Sequence, residues 1–115
     1  MNKIYFFLPF LNAGGAESTA TVLANNFFKF NKKVEFITVK ENIKSNLKLN
    51  TNIKINNLDS RKIFLSFFSL INFLKNKEGV IISSLNHCNF LILLYNKFYK
   101  HNYKIIITTH NPTKI

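Results

Sequence analysis

Five short apolar runs alternate with three longer amphipathic segments, and a glycine pair, Gly14-Gly15, follows the first run. These observations predict a doubly wound α/β domain. Its five strands should form a parallel sheet in the order 3-2-1-4-5, with right-handed crossovers and helices on both faces. The 115 residues allow one core, and so a single Rossmann-like domain over 1–115. Hydrophobic residues make up 47% of the chain and charged residues 18%, a balance that favours folding over disorder.

Lys3 to Leu8 is the first strand, with its centre apolar throughout, as in a strand covered on both sides. Ala16 to Phe30 is the first helix. Ala16, Ala20, Leu23, Ala24, Phe27 and Phe28 recur at three- and four-residue spacing and make its apolar stripe. Asn31 ends it, because Asn tolerates the left-handed conformation. Lys33 to Val39 is the second strand, and the polar stretch Glu41 to Thr51 is a surface loop. Ile53 to Leu58 is a third, short strand. Asp59 or Ser60 caps a second helix from Lys62 to Asn76. In that helix Phe64, Phe67, Phe68, Ile71 and Leu74 form the stripe, and Leu65, Leu70 and Phe73 spread beyond it. Lys77-Glu78-Gly79 breaks the helix, Val80 to Ser83 is the fourth strand, Asn86 to Tyr99 the third helix, and Lys104 to Thr109 the fifth strand.

Several classes are excluded or set aside. Pro9 interrupts the N-terminal apolar run, which argues against a signal peptide. No apolar stretch reaches the roughly 20 residues that span a bilayer. The lone Cys88 cannot form an internal disulfide, so a reducing compartment is expected; at a helix start it reads as core packing. No Cys/His spacing resembles a zinc site, and neither a metal nor a cofactor is expected. The formal net charge of +11 suggests an anionic partner, although codon bias toward Lys, Asn, Ile and Phe accounts for part of it. The lysines are scattered and Arg61 is the only arginine, so nucleic acid is not expected as a partner. Lys3, Lys33 and His101 read as solvated. The apolar helix around Phe64 to Leu74, with basic ends, predicts attraction to an anionic membrane surface.

In doubly wound sheets ligands sit beyond the carboxyl ends of the strands, where the strand order reverses. Three polar clusters follow strands one, four and five: Asn12, Gly14, Gly15 and Glu17; Ser83, Ser84, Asn86 and His87; Thr108, Thr109, His110 and Asn111. All three should meet at one crevice. A glycine loop opening a helix suits a phosphate or a sugar hydroxyl, although two glycines can also merely close a tight turn. Glu17 in a first helical turn is favoured by the dipole in any protein. The crevice has no carboxylate pair for general acid/base hydrolysis of a glycoside.

Pro9-Phe10-Leu11-Asn12-Ala13-Gly14-Gly15-Ala16-Glu17 resembles the "GGAE" opening of family 4 retaining glycosyltransferases of the GT-B fold. Lys33-Val34-Glu35-Phe36 is similar to that family's "HEV" strand, Val80 to His87 to its fourth strand with a trailing His, and Ile105 to Asn111 to its fifth strand closing on "HN". Asn31-Lys32 departs from the usual Gly-His, which affects a turn. The resemblance covers nearly the whole chain. It implies an acceptor-side N-terminal domain of an enzyme transferring a sugar from a nucleotide sugar, as co-substrate, to a glycan or lipid-linked acceptor. His110 would be catalytic, near the reacting carbon. Gly14 and Gly15 would approach the donor phosphates, and Asn12, Glu17, Ser84, His87 and Asn111 would line the acceptor or sugar cleft. A C-terminal Rossmann domain with paired glutamates, in the intact enzyme or as a separate chain, is the implied partner. The implied location is the cytoplasm and the inner face of the cell membrane. A binding module or partner subunit of the same fold is the alternative. A dinucleotide-binding domain fits less well, since the loop lacks a third glycine and Lys40 stands where an acidic residue would hold a ribose.

Overall fold

The computed structural model describes residues 3–8, 15–39, 49–58 and 63–108. Its elements are β1 (Lys3–Leu8), α1 (Gly15–Lys29), β2 (Lys33–Thr38), β3 (Lys54–Asn57), α2 (Ile63–Leu74), β4 (Glu78–Ser84), α3 (Asn86–Phe98) and β5 (Asn102–Thr108). The five strands form one parallel sheet in the order β3-β2-β1-β4-β5, the α/β architecture expected. Asp59, Ser60 and residues 41–48 of the expected loop lie outside the described residues. No helix among the described residues is long and apolar enough to cross a membrane.

β1 lies at the centre and is buried on both faces. Alternate side chains go to opposite sides of a strand, and each side has its own core. Phe6 and Leu8 pack with Phe36, Ala20 and Ala24 under α1. Tyr5 and Phe7 pack with Ile37, Ile81, Leu70, Leu74, Leu91 and Ile92 under α2 and α3.

α1 ends as expected. Asn31 is left-handed at φ 65°. The Lys32 N–H donates to the Phe27 carbonyl and the Asn31 N–H to the Phe28 carbonyl, both at 3.0 Å, a complete Schellman motif. The inward stripe differs in part. Leu23 is exposed, while Glu17 and Thr21 are buried beside Ala20 and Ala24. On a helical wheel Leu23 falls on the stripe's flank and Glu17 near its centre.

α2 is rotated from the expected phase. Ser66, Leu70 and Leu74 are its buried line, Phe67, Ile71 and Phe73 flank them, and Phe68 and Leu65 face out. The helix also stops earlier. Asn76 takes φ 61° and ends the helical path, and Glu78 and Gly79 belong to β4 rather than to a break. They are drawn into the sheet by pairing, Glu78 with Asn102 and Gly79 with both Lys3 and Tyr103.

Two side chains expected to be solvated are half-exposed and hydrogen-bonded to neighbours. Lys3 Nζ donates to Glu35 Oε2 at 2.7 Å, and Asn56 Nδ2 donates to Glu35 Oε1 at 2.8 Å. Burial alone would raise the Glu35 pKa. The hydrogen bonds from Lys3 and Asn56, with the charges of Lys3 and Lys54, outweigh it and hold the carboxyl below its ordinary value. A depressed carboxylate stabilises the fold above its unfolded pKa of about 4.3 and loses that contribution as pH falls through the folded value. Glu35→Gln should therefore lower stability by about 1 kcal/mol near neutral pH, a modest figure because Lys3 is partly solvated. It should also flatten the acid limb below about pH 5, read as denaturant midpoints across pH. A parallel acid limb in both proteins would remove Glu35 from that role.

His101 is the second. Its Nδ1 accepts the Tyr103 N–H at 3.0 Å, so that nitrogen is unprotonated and Nε2 donates to Asn96 Oδ1 at 2.8 Å. Its ring stacks on Tyr95 with centroids 5.1 Å apart.

Candidate functional site

The parallel sheet puts the ends of all five strands along one edge, and the order reverses between β1 and β4. β1 and β4 run side by side to that edge, with Phe7 paired with Ser83. α1 opens at Gly15 just past β1, and α3 opens at Asn86 just past β4. The positive ends of both helix dipoles therefore face the switch point.

Three side chains at this edge are buried with a polar atom that has no hydrogen-bond partner among the described residues. They are Thr38 Oγ1 at the end of β2, Ser83 Oγ near the end of β4, and Asn89 Oδ1 in the first turn of α3. Ser83 follows Ile81 on the side covered by α3, the side on which Asn89 stands; Thr38 is on the α1 side. A buried polar group left unpaired costs about 1–3 kcal/mol, so three along one edge form the chemically distinctive feature of this domain.

The neighbouring groups are pinned. Ser84 Oγ and Thr108 Oγ1 are 2.6 Å apart, Thr108 Oγ1 donates to the Ser83 carbonyl at 3.1 Å, and Asn89 Nδ2 donates to the Thr108 carbonyl at 3.1 Å. These bonds lock β4, α3 and β5 together at the edge. The turn between β4 and α3 is strained: Leu85 sits at φ 75°, ψ 146° and has no side-chain cap bond. That region of backbone space is essentially reserved for glycine, and a leucine held there stores about 1–3 kcal/mol. Leu85 is kept in place by packing with Ile82 against the α1-side core.

Of the residues singled out in the sequence, Glu17 is 6% exposed in the first turn of α1. Thr21 Oγ1 donates to its backbone carbonyl at 2.9 Å. Ser84 is buried with its hydroxyl engaged by Thr108. His87 is exposed in the first turn of α3, at the same edge. Gly15 opens α1. Asn12, Gly14, His110 and Asn111 lie outside the described residues. Thr38, Leu85 and Asn89 were not singled out. Asn89 had a signal, a polar residue inside the apolar run Cys88 to Leu94; nothing local distinguishes Thr38 or announces a positive φ at Leu85.

The chemistry open to these groups is hydrogen bonding rather than nucleophilic attack. Cys88 is fully buried, and desolvation pushes its thiol far above the ordinary range. No group of three or more His, Cys, Asp and Glu among the described residues could hold a metal ion. A hollow of about 540 Å³ is at the opposite edge, between the C-terminal ends of α2 and α3. It shares no residue with the carboxyl edge, where the loops after β1 and β5 are outside the described residues. Compared with protein-family models, curated proteins and solved structures, the chain matches none.

Proposed function

We propose that this domain is the acceptor-side part of a retaining GT-B glycosyltransferase resembling family 4, which moves a sugar from a nucleotide sugar to a glycan or lipid-linked acceptor. The observation that carries the reading is the set of buried groups without a partner among the described residues, Thr38 Oγ1, Ser83 Oγ and Asn89 Oδ1, along the carboxyl edge. Two hydroxyls that can donate and accept, with an amide oxygen that accepts, match the hydroxyls of a sugar, and the switch point is where a doubly wound sheet receives its ligand. The resemblance adds Gly14 and Gly15 for the donor phosphates, Asn12, Glu17, Ser84, His87 and Asn111 for the cleft, and His110 at the reacting carbon.

Departure of a nucleoside diphosphate requires donors placed on both sides of it. The chain by itself should therefore bind without transferring, and turnover should require a second Rossmann domain. Titrating ¹⁵N-labelled protein with nucleotide sugars and oligosaccharides should shift the amide signals of Thr38, Ser83, Ser84, His87 and Asn89. Shifts confined to the amino edge, or none, would overturn the reading. Ser83→Ala should leave stability nearly unchanged or raised, because it removes an unpaired hydroxyl, while weakening that binding by about tenfold. With a second domain supplied, His110→Ala should lower turnover far more than it weakens acceptor binding, and sugar transfer by the 115-residue chain alone would contradict the two-domain mechanism.

A further inference from the structure

Two helix ends and the start of β5 build the hollow of about 540 Å³ at the amino edge of the sheet. On α2 its wall is Phe68, Ile71, Asn72 and Lys75. They are spaced three, four and seven residues from Phe68, and so share one helix face. On α3 the wall is Tyr95 and Tyr99, four residues apart, with Lys100 and His101 following. Leu74 and Tyr95 are buried and give the hollow an apolar floor. The aromatic side is held in place. Tyr95 stacks on both Tyr99 and His101, with centroids 5.7 and 5.1 Å away and ring planes 17° and 23° from parallel. His101 is in turn fixed by Asn96 and the Tyr103 N–H. Tyr99 remains 43% exposed and Phe68, on the other helix, 63%, so both offer ring surface to the hollow.

The charge there is of one sign. Lys75, Lys77 and Lys100 line the hollow, and no Asp or Glu does. The C-terminal ends of α2 and α3 bring roughly one negative charge of dipole between them, which three ammonium groups exceed. Among the described residues neither Lys75 nor Lys100 has an ion-pair partner, and Lys77 Nζ stands 3.7 Å from the Phe73 ring centroid. Asn72, Asn76 and Asn102 add amides that donate and accept. Free phosphate would pair with the lysines and leave the rings in water. A neutral ring would cover the aromatic side chains and leave the lysines unpaired. A planar ring that carries an anionic group satisfies both, and the volume falls within the range of small-molecule sites, about 300–1,000 Å³. We infer that this hollow binds a small planar heteroaromatic anion, with its ring against Phe68 and Tyr99 and its phosphate or carboxylate on Lys75 and Lys100. The inference is independent of any activity at the carboxyl edge.

The test is titration of ¹⁵N-labelled chain with four probes: adenosine monophosphate, quinoline-2-carboxylate, adenosine and inorganic phosphate. At least one of the two aromatic anions should shift the amide signals of Asn72, Lys75, Tyr99 and Lys100, and which of them does so identifies the anionic group as phosphate or carboxylate. Adenosine and inorganic phosphate should each bind at least about tenfold more weakly, since each makes only one of the two kinds of contact. Binding of the aromatic anion should weaken as salt rises. Lys75→Gln and Lys100→Gln should each weaken it about fivefold. Phe68→Ser should weaken it about tenfold with far-UV circular dichroism unchanged, because that side chain is largely solvated in the free protein. Val22→Ser on the exposed side of α1 should change nothing. No shift at these amides with either aromatic anion, inorganic phosphate binding as tightly as both, or binding indifferent to Phe68→Ser and to both lysine variants would overturn the inference.

Discussion

Replacing Gly79 with alanine should lower the stability of the domain by about 3 kcal/mol. Gly79 is buried at φ 149°, where L side chains are rarely found, and a Cβ at that position would be driven into the backbone carbonyl of Lys3. That carbonyl has little room to retreat. Lys3 is in register with Lys33 on one side and Gly79 on the other, and its ammonium group is tied to Glu35. The strained φ contributes about 1–3 kcal/mol and the forced contact a similar amount. The reduced freedom of the unfolded chain returns at most about 1 kcal/mol. A domain of ordinary stability holds about 5–15 kcal/mol in all. The variant should still fold, with a clearly lower guanidinium midpoint and an unchanged denaturant slope. A loss below about 1 kcal/mol would mean that β4 begins at Val80, where hydrophobic pattern alone would start it.

Cys88 should react with a thiol reagent at least about a thousandfold more slowly in the native protein than in denaturant. The residue follows the exposed His87, yet one helical step turns it fully into the core beneath α3. Burial both blocks the reagent and holds the thiol protonated, and the thiolate is the reactive form. Labelling then reports the fraction of molecules in which α3 has left the sheet. If that opening is global, Gly79→Ala should speed labelling about a hundredfold, since about 1.4 kcal/mol is a factor of ten. Labelling that is fast and indifferent to Gly79→Ala would mean that the strained start of α3 opens independently of the sheet.

Element types and their order could be read from the sequence because they rest on local spacing. The alternation of apolar runs, the glycine pair after β1 and Asn31 at the end of α1 required no distant partner, and the strand order is the one usual for doubly wound nucleotide-binding folds. Glu17, Ser84 and His87 stand at the carboxyl edge because each follows a strand of known direction. What a side chain does there was decided by neighbours distant in sequence. Ser84 is engaged because β5 brings Thr108 beside it, and Ser83 Oγ, Asn89 Oδ1 and Thr38 Oγ1 find no partner among the described residues of the same assembly. The rotation of α2 shows the limit most clearly. Ile63 to Leu74 is apolar nearly all round, so no polar face sets its phase, and only contact with Leu91, Ile92 and the sheet selects Ser66, Leu70 and Leu74 as the inner line. Gly79 joins β4 for a related reason: strand ends are defined by hydrogen bonds to other strands, and the pairing of Lys3 with Gly79 spans 76 residues of chain.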